Sequence, residues 1–108
     1  MEGRSERILL VGERSWQLRY ESADWRKNIG ATVTAVEPDA HLVARARATC
    51  GRLGLIIAGV DYIVNEGGAT LLEVNAYPGF DDVPEANDAF VELAAAWWGE
   101  VRMTAAVP

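Results

Sequence analysis

The chain has little of what staples a fold, binds zinc or holds nucleic acid. It contains one cysteine, Cys50, and one histidine, His41. A single thiol forms no internal disulfide, and no Cys/His cluster offers zinc its ligands. Lysine occurs once, at Lys27, and the formal net charge is −6. With no basic stripe to collect phosphates, the sequence argues against a nucleic-acid or anionic-membrane surface. No apolar run approaches the ~20 residues of a membrane span, and the polar start lacks the pattern of a secretory signal. The expectation is a cytoplasmic protein. What the chain does have is apolar material: half of its 108 residues are hydrophobic and 24% are charged. That composition predicts one small globular domain over residues 1–108, with no repeat, low-complexity segment or linker.

Periodicity supplies the elements. Arg7–Val11 reads as a short apolar strand turned back by Gly12-Glu13-Arg14-Ser15, and Trp16–Tyr20 alternates apolar and polar residues as a half-buried strand does. After a polar stretch, residues 31–36 are rich in β-branched residues and predict a third strand or extended segment. Pro38 opens a helix with Leu42, Ala46, Cys50 and Leu53 on one stripe, Arg45, Arg47 and Arg52 on a wet face, and Gly54 as its stop. Pro84 starts a second helix with Ala86, Phe90, Leu93 and Trp97 facing inward and Gly99 at its end, followed by a frayed tail over 100–108. Trp97 and Trp98 cannot point the same way on a helix, so one of them is exposed or covered by a partner. The order β-β-(β)-α-β-β-α, joined by hairpins, predicts an α+β fold: an antiparallel sheet with two helices packed on one face.

Between the helices lie two apolar runs that carry oxygen ligands, Gly54–Asp61 and Leu71–Gly79. Strand residues i and i+2 share a face, so Glu73 and Asn75 project together. Asp61 joins them if the hairpin pairs odd positions with odd ones. A three-residue loop Glu66-Gly67-Gly68 achieves that pairing. Asp61 then faces Glu73 with Cβ atoms about 4.5–5.5 Å apart. Two like charges that close invite a hard divalent cation such as Mg²⁺, which takes carboxylate and carbonyl oxygens and often shares a substrate phosphate. The competing reading is the solvated face of a half-covered sheet. The apolar setting of Ile56, Ile57, Val60, Ile63, Leu71, Leu72 and Val74 favours the cation site.

The string Ala58-Gly59-Val60-Asp61, then Leu72-Glu73-Val74-Asn75-Ala76-Tyr77-Pro78-Gly79, resembles the C-terminal signature of ATP-grasp ligases. The flavour is that of ribosomal-protein glutamate ligases and related amino-acid ligases. Trp25-Arg26-Lys27-Asn28 resembles the aromatic-Arg-x-Asn segment that precedes the helix in those enzymes, and Arg7–Gly12 resembles their Arg–apolar run–Gly strand. The likeness spans about residues 5–98.

By this resemblance the chain is the C-terminal lobe of an ATP-dependent carboxylate–amine ligase that works through an acyl-phosphate. The resemblance implies Asp61, Glu73 and Asn75 as ligands of Mg²⁺ (or Mn²⁺), with Glu73 able to bridge two ions. It implies Arg26 as the catalytic, phosphate-facing cation, and Arg26, Asn28, Asp61 and Glu73 as contacts to ATP, the co-substrate. Pro78-Gly79 would shape the loop near the amino-acid substrate. The substrates would be a carboxylate and an amine acceptor. The family's upstream domain and lysine-bearing small lobe have no counterpart here, and Gly30 stands where paired glycines are usual. The expectation is therefore a partial ATP-grasp fold, inactive alone and completed by an N-terminal lobe or a second protein chain. The alternative is a non-catalytic interaction or dimerisation module, pairing as a homodimer through its edge strand and the Trp97/Trp98 face.

Overall fold

The structure, a computed structural model, describes residues 3–21 and 32–106. Five strands, β1 (Arg4–Val11), β2 (Arg14–Glu21), β3 (Thr32–Val36), β4 (Ile57–Asn65) and β5 (Gly68–Asn75), alternate with two helices, α1 (Ala40–Leu53) and α2 (Pro84–Ala106). The strands form one antiparallel sheet in the order β3-β2-β1-β4-β5. The α+β class with an antiparallel sheet and two helices is what the element order predicts. The helices do not share a face, however.

The centre of β1 shows why. Ile8, Leu9, Leu10 and Val11 are all buried, although neighbouring strand residues point to opposite faces. Ile8 and Leu10 join Ala58, Val60 and Tyr62 in a core against Leu42, Ala46 and Cys50 of α1. Leu9 and Val11 join Leu18 in a second core against Val83, Ala86 and Ala89. A strand covered on both sides must be apolar at every position, and the unbroken run Ile8-Leu9-Leu10-Val11 carries that signal. Alternation in Trp16–Tyr20 suggests one wet face, but β2 lies one strand away from the centre.

The helix ends follow their chemistry. Asp39 caps α1 by accepting from the backbone N–H of His41 (2.9 Å) and Leu42 (3.2 Å). Gly54 ends the helix in the left-handed conformation. Leu53 leaves the expected stripe and is exposed. Nor are Arg45 and Arg47 simply solvated. Arg47 donates to the carbonyls of Gly12 (2.9 Å) and Glu13 (2.6 Å), bracing the β1–β2 turn. Arg45 donates to the Ala69 carbonyl and lies over the Tyr62 ring.

In α2 the inward stripe is Ala86, Ala89 and Leu93 rather than Ala86, Phe90, Leu93 and Trp97. Trp97 and Trp98 are both exposed, at 62% and 56%. Gly99 does not stop the helix, which runs to Ala106. One glycine within a strongly helical alanine-rich segment costs about 1 kcal/mol, too little to end it. Among the described residues no helix is long and apolar enough to cross a membrane.

Burial in the α1 core raises the Cys50 thiol above its ordinary value of 9.0 and the Tyr62 phenol above 10.0. In the unfolded chain both ionise first, so above those values the folded state binds more protons and stability falls with rising pH. Urea midpoints are expected to stay flat from about pH 7 to 8 and to drop progressively above about pH 9. A midpoint unchanged at about pH 10.5 would show that these two groups reach water in the folded state.

Candidate functional site

The β4–β5 hairpin turns more tightly than a three-residue loop. Asn65 pairs with Gly68, leaving Glu66-Gly67 as a two-residue tip, with Gly68 at φ 120°. That backbone angle is open to glycine and strained for other residues. The Asn65 side chain accepts from the Gly67 N–H at 2.9 Å. The tip sets a register in which Ile63 faces Thr70 and Tyr62 faces Leu71. Continued unbroken, it would place Leu72 opposite Asp61 and turn Glu73 to the other side of the sheet.

A β-bulge prevents this. Between the Tyr62–Leu71 and Asp61–Glu73 pairs, β5 carries one extra residue, Leu72. The odd-with-odd pairing expected from the sequence is therefore present at the acids, produced by the bulge and not by the loop. Asp61 and Glu73 stand directly opposite each other, Asp61 half-buried and Glu73 exposed. Leu71 and Leu72 are left exposed on the strand's rim.

The row continues onto β1, where Arg7 faces Asp61. Its guanidinium grips both carboxylate oxygens, Nε to Oδ1 at 2.7 Å and Nη2 to Oδ2 at 3.1 Å. This forked pair raises the Arg7 pKa, chiefly through the hydrogen bond to Asp61; burial opposes the shift, while Asp61, Tyr20 and Glu73 reinforce it electrostatically. Tyr20, from β2, is raised first by burial; Arg7 lowers it and Asp82 and Asp61 raise it. Arg7 is thus part of the site, with Tyr20 and Asp82 within its electrostatic reach, and the sequence reading assigned none of the three to it. Parity could have found Arg7, since Arg7, Leu9 and Val11 must share a face. Tyr20 and Asp82 come from separate elements and carry no local signal.

Asn75 closes β5 opposite Gly59. Its side-chain oxygen accepts from the Tyr77 N–H at 2.9 Å and so shapes the turn into Pro78-Gly79. That oxygen retains a second lone pair. Two opposed carboxylates and a neutral amide oxygen on one face form a hard-oxygen donor set that suits Mg²⁺. Among the described residues no group of three or more His, Cys, Asp and Glu side chains is placed to hold a metal, so the amide and further ligands must complete any shell. Arg26 and Asn28 lie outside the described residues.

Gly59 leaves room for this arrangement. A Cβ there would lie 3.2 Å from the Arg7 Cδ, 3.3 Å from its Nε and 3.2 Å from the Pro78 Cβ. Gly59→Ala is expected to push Arg7 off Asp61 and to destabilise the fold by about 1–3 kcal/mol. Chemical denaturation of the variant checks this, and an unchanged midpoint would show that Arg7 and Pro78 yield freely.

An apolar cleft of about 330 Å³ opens nearby, lined by Ile57, Ala76, Tyr77, Pro78, Phe80 and Phe90. A second cleft, about 720 Å³, sits at the hairpin tip between Gly3, Arg4 and 64–67. Its lining carries a single acid, Glu66, and no pair of opposed carboxylates.

Comparison with solved structures decides the fold. The macrocyclase MdnC bound with precursor peptide MdnA, from Microcystis aeruginosa MRC, superimposes with a TM-score of 0.66 at 21% identity, over 85% of this chain and 33% of that one. The ATP-grasp ligase PsnB complexed with a minimal precursor gives 0.63 at 19% identity, over 86% and 36%. The chain shares its fold with ATP-grasp ligases. A third neighbour, D-alanine–D-alanine ligase from Bacillus anthracis complexed with ATP, gives 0.59 at 21% identity, over 82% and 33%.

Sequence relatives are ligases as well. A probable alpha-L-glutamate ligase of Xanthomonas oryzae pv. oryzae (strain MAFF 311018) is 37% identical over 87 residues, 76% of this chain and 30% of that protein. One from Sodalis glossinidius (strain morsitans) is 30% identical over 106 residues, 94% and 36%. The chain spans about a third of the length of these curated relatives. No family model matches the chain.

Proposed function

We propose that the chain is the Mg²⁺–ATP-binding C-terminal part of an ATP-dependent carboxylate–amine ligase, completed by a lobe that grips the nucleotide from the other side. The observation that carries this reading is the bulge at Leu72, which sets Glu73 opposite Asp61 in an otherwise apolar hairpin. A register that pairs two acids costs stability unless a cation repays it. Similar proteins include PsnB complexed with a minimal precursor, Mg and ADP, and the D-alanine–D-alanine ligase complexed with ATP.

In this reading a substrate carboxylate oxygen attacks the γ-phosphorus of ATP. The bond to the bridging oxygen breaks, ADP leaves, and an acyl-phosphate forms. The amine nitrogen then attacks the acyl carbon, loses a proton and expels inorganic phosphate, leaving an amide. Asp61 and Glu73 would hold Mg²⁺, whose charge would offset that of the phosphate oxygens, and Asn75 would add an oxygen without adding charge while it shapes the turn into Pro78-Gly79. Arg26 is proposed to balance charge on the transferring group with its permanent charge and planar fork, and Asn28 to contact ATP beside it.

Titrating Mn²⁺, a spectroscopic substitute for Mg²⁺, into the full chain with and without a non-hydrolysable ATP analogue tests the assignment. Uptake that the analogue strengthens is expected. No uptake at millimolar Mn²⁺ would favour the second reading, a non-catalytic interaction module. That reading draws on the exposure of Trp97 and Trp98 and on the exposed Leu71 and Leu72 of edge strand β5. It requires concentration-dependent self-association in sedimentation equilibrium, reduced by replacing both tryptophans.

A further inference from the structure

Arg7 occupies an unusual position for a residue beside two acids awaiting a cation. Its fork already takes both oxygens of Asp61, at 2.7 and 3.1 Å. The pair is largely shielded, with side-chain exposures of 23% for Arg7 and 17% for Asp61. The stem runs through the space kept open by Gly59, walled by Pro78. Glu73, across the ladder on β5, stays exposed.

We propose that Arg7 is a positioning residue that stands in for the divalent cation at Asp61 and releases that carboxylate only when cation and nucleotide phosphate arrive together. The inference rests on the metal–phosphate reading above and adds a rule for how the site fills. A divalent cation entering alone must share Asp61 with a fixed positive charge and is repelled by it. A triphosphate changes the balance, because two oxygens of one phosphate offer the planar guanidinium a bidentate acceptor in place of the carboxylate it gives up. Arg7 then moves from carboxylate to phosphate, and Asp61 becomes free for the cation. Cation and nucleotide bind as one event, and the reciprocity of linkage makes each strengthen the other.

The test measures Mn²⁺ affinity of the full chain, alone and with the β,γ-imido analogue of ATP, for wild type, Arg7→Gln and Arg7→Lys. Removing the charge is expected to tighten Mn²⁺ binding without nucleotide by roughly tenfold, and to shrink the strengthening by the analogue by a similar factor. Arg7→Lys keeps the charge and is expected to keep the weak binding of Mn²⁺ alone. A folded Arg7→Gln variant that binds Mn²⁺ no more tightly than wild type would overturn the proposal, leaving Arg7 as a brace for Asp61. Absence of Mn²⁺ uptake by wild type even with the analogue would instead overturn the underlying metal–phosphate reading, and this proposal with it. Should Arg7→Gln not fold, the ¹⁵N Nε–H resonance of wild-type Arg7 decides. It is expected to shift with Mg²⁺ and the analogue together and to stay put with Mg²⁺ alone; a resonance unmoved by both together overturns the proposal.

Discussion

Glu6→Ala is expected to cost the fold about 3 kcal/mol, near the lower end of what breaking a buried ion pair costs. Glu6 is 1% exposed at the start of β1, on the α1 side of the sheet. Gln17 donates to its Oε1 at 2.6 Å, Arg4 donates to its Oε2 at 2.9 Å, and the Arg19 Nη2 lies 3.5 Å from Oε1. The Gln17 oxygen in turn accepts from the Asp39 N–H at 2.8 Å, tying the carboxylate to the residue that caps α1. Alanine leaves the Gln17 amide without its acceptor and removes the countercharge from Arg19, whose Nε is already buried without a partner. Because Arg4 and Arg19 remain partly exposed, water can recover some of the loss. Glu6→Leu, which removes the charge but fills the space, is expected to be milder than alanine. Urea denaturation of the two variants measures both effects, and alanine within about 0.5 kcal/mol of wild type would show the network to be energetically idle.

If the proposed site is correct, Glu73→Ala and Asp61→Asn each weaken Mn²⁺ binding in the presence of the ATP analogue by on the order of a hundredfold, because each removes a proposed charged ligand from a sparse donor set. Stability is expected to respond little at Glu73. The side chain is exposed, and its repulsion from Asp61 is offset by attraction to Arg7, so alanine does not lower the urea midpoint by more than a few tenths of a kcal/mol. Asp61→Asn, by contrast, weakens the pair with Arg7 and is expected to lower the midpoint. Binding and stability thus separate at Glu73 and move together at Asp61. Retention of full Mn²⁺ affinity by both variants would remove the acids from the site.

Much of this was legible locally. The periodicity of Leu42, Ala46 and Cys50 identifies the buried stripe of α1, and Gly54 marks its end, because helix caps are chosen by nearby backbone chemistry. The side shared by Glu73 and Asn75 follows from strand geometry alone. The hairpin was legible in outcome but not in construction: the sequence permits either a three-residue tip or a two-residue tip with a bulge, and both bring Asp61 to Glu73. Pairing strength along the whole ladder chooses between them. The positions of the helices were misjudged because hairpin order sets strand neighbours without setting which side a connection crosses.

The amino-acid order by itself determined the elements, the acidic face of the hairpin and the likeness to ATP-grasp ligases, since all three rest on spacings of a few residues. Only the tertiary structure decided that the sheet is covered on both sides, that Arg7 grips Asp61, and that Glu6 and Gln17 are buried. Those contacts join residues 54, 11 and 22 positions apart. They form because the central strand β1 brings the two hairpins together, and separations of that length leave no periodic trace in the chain.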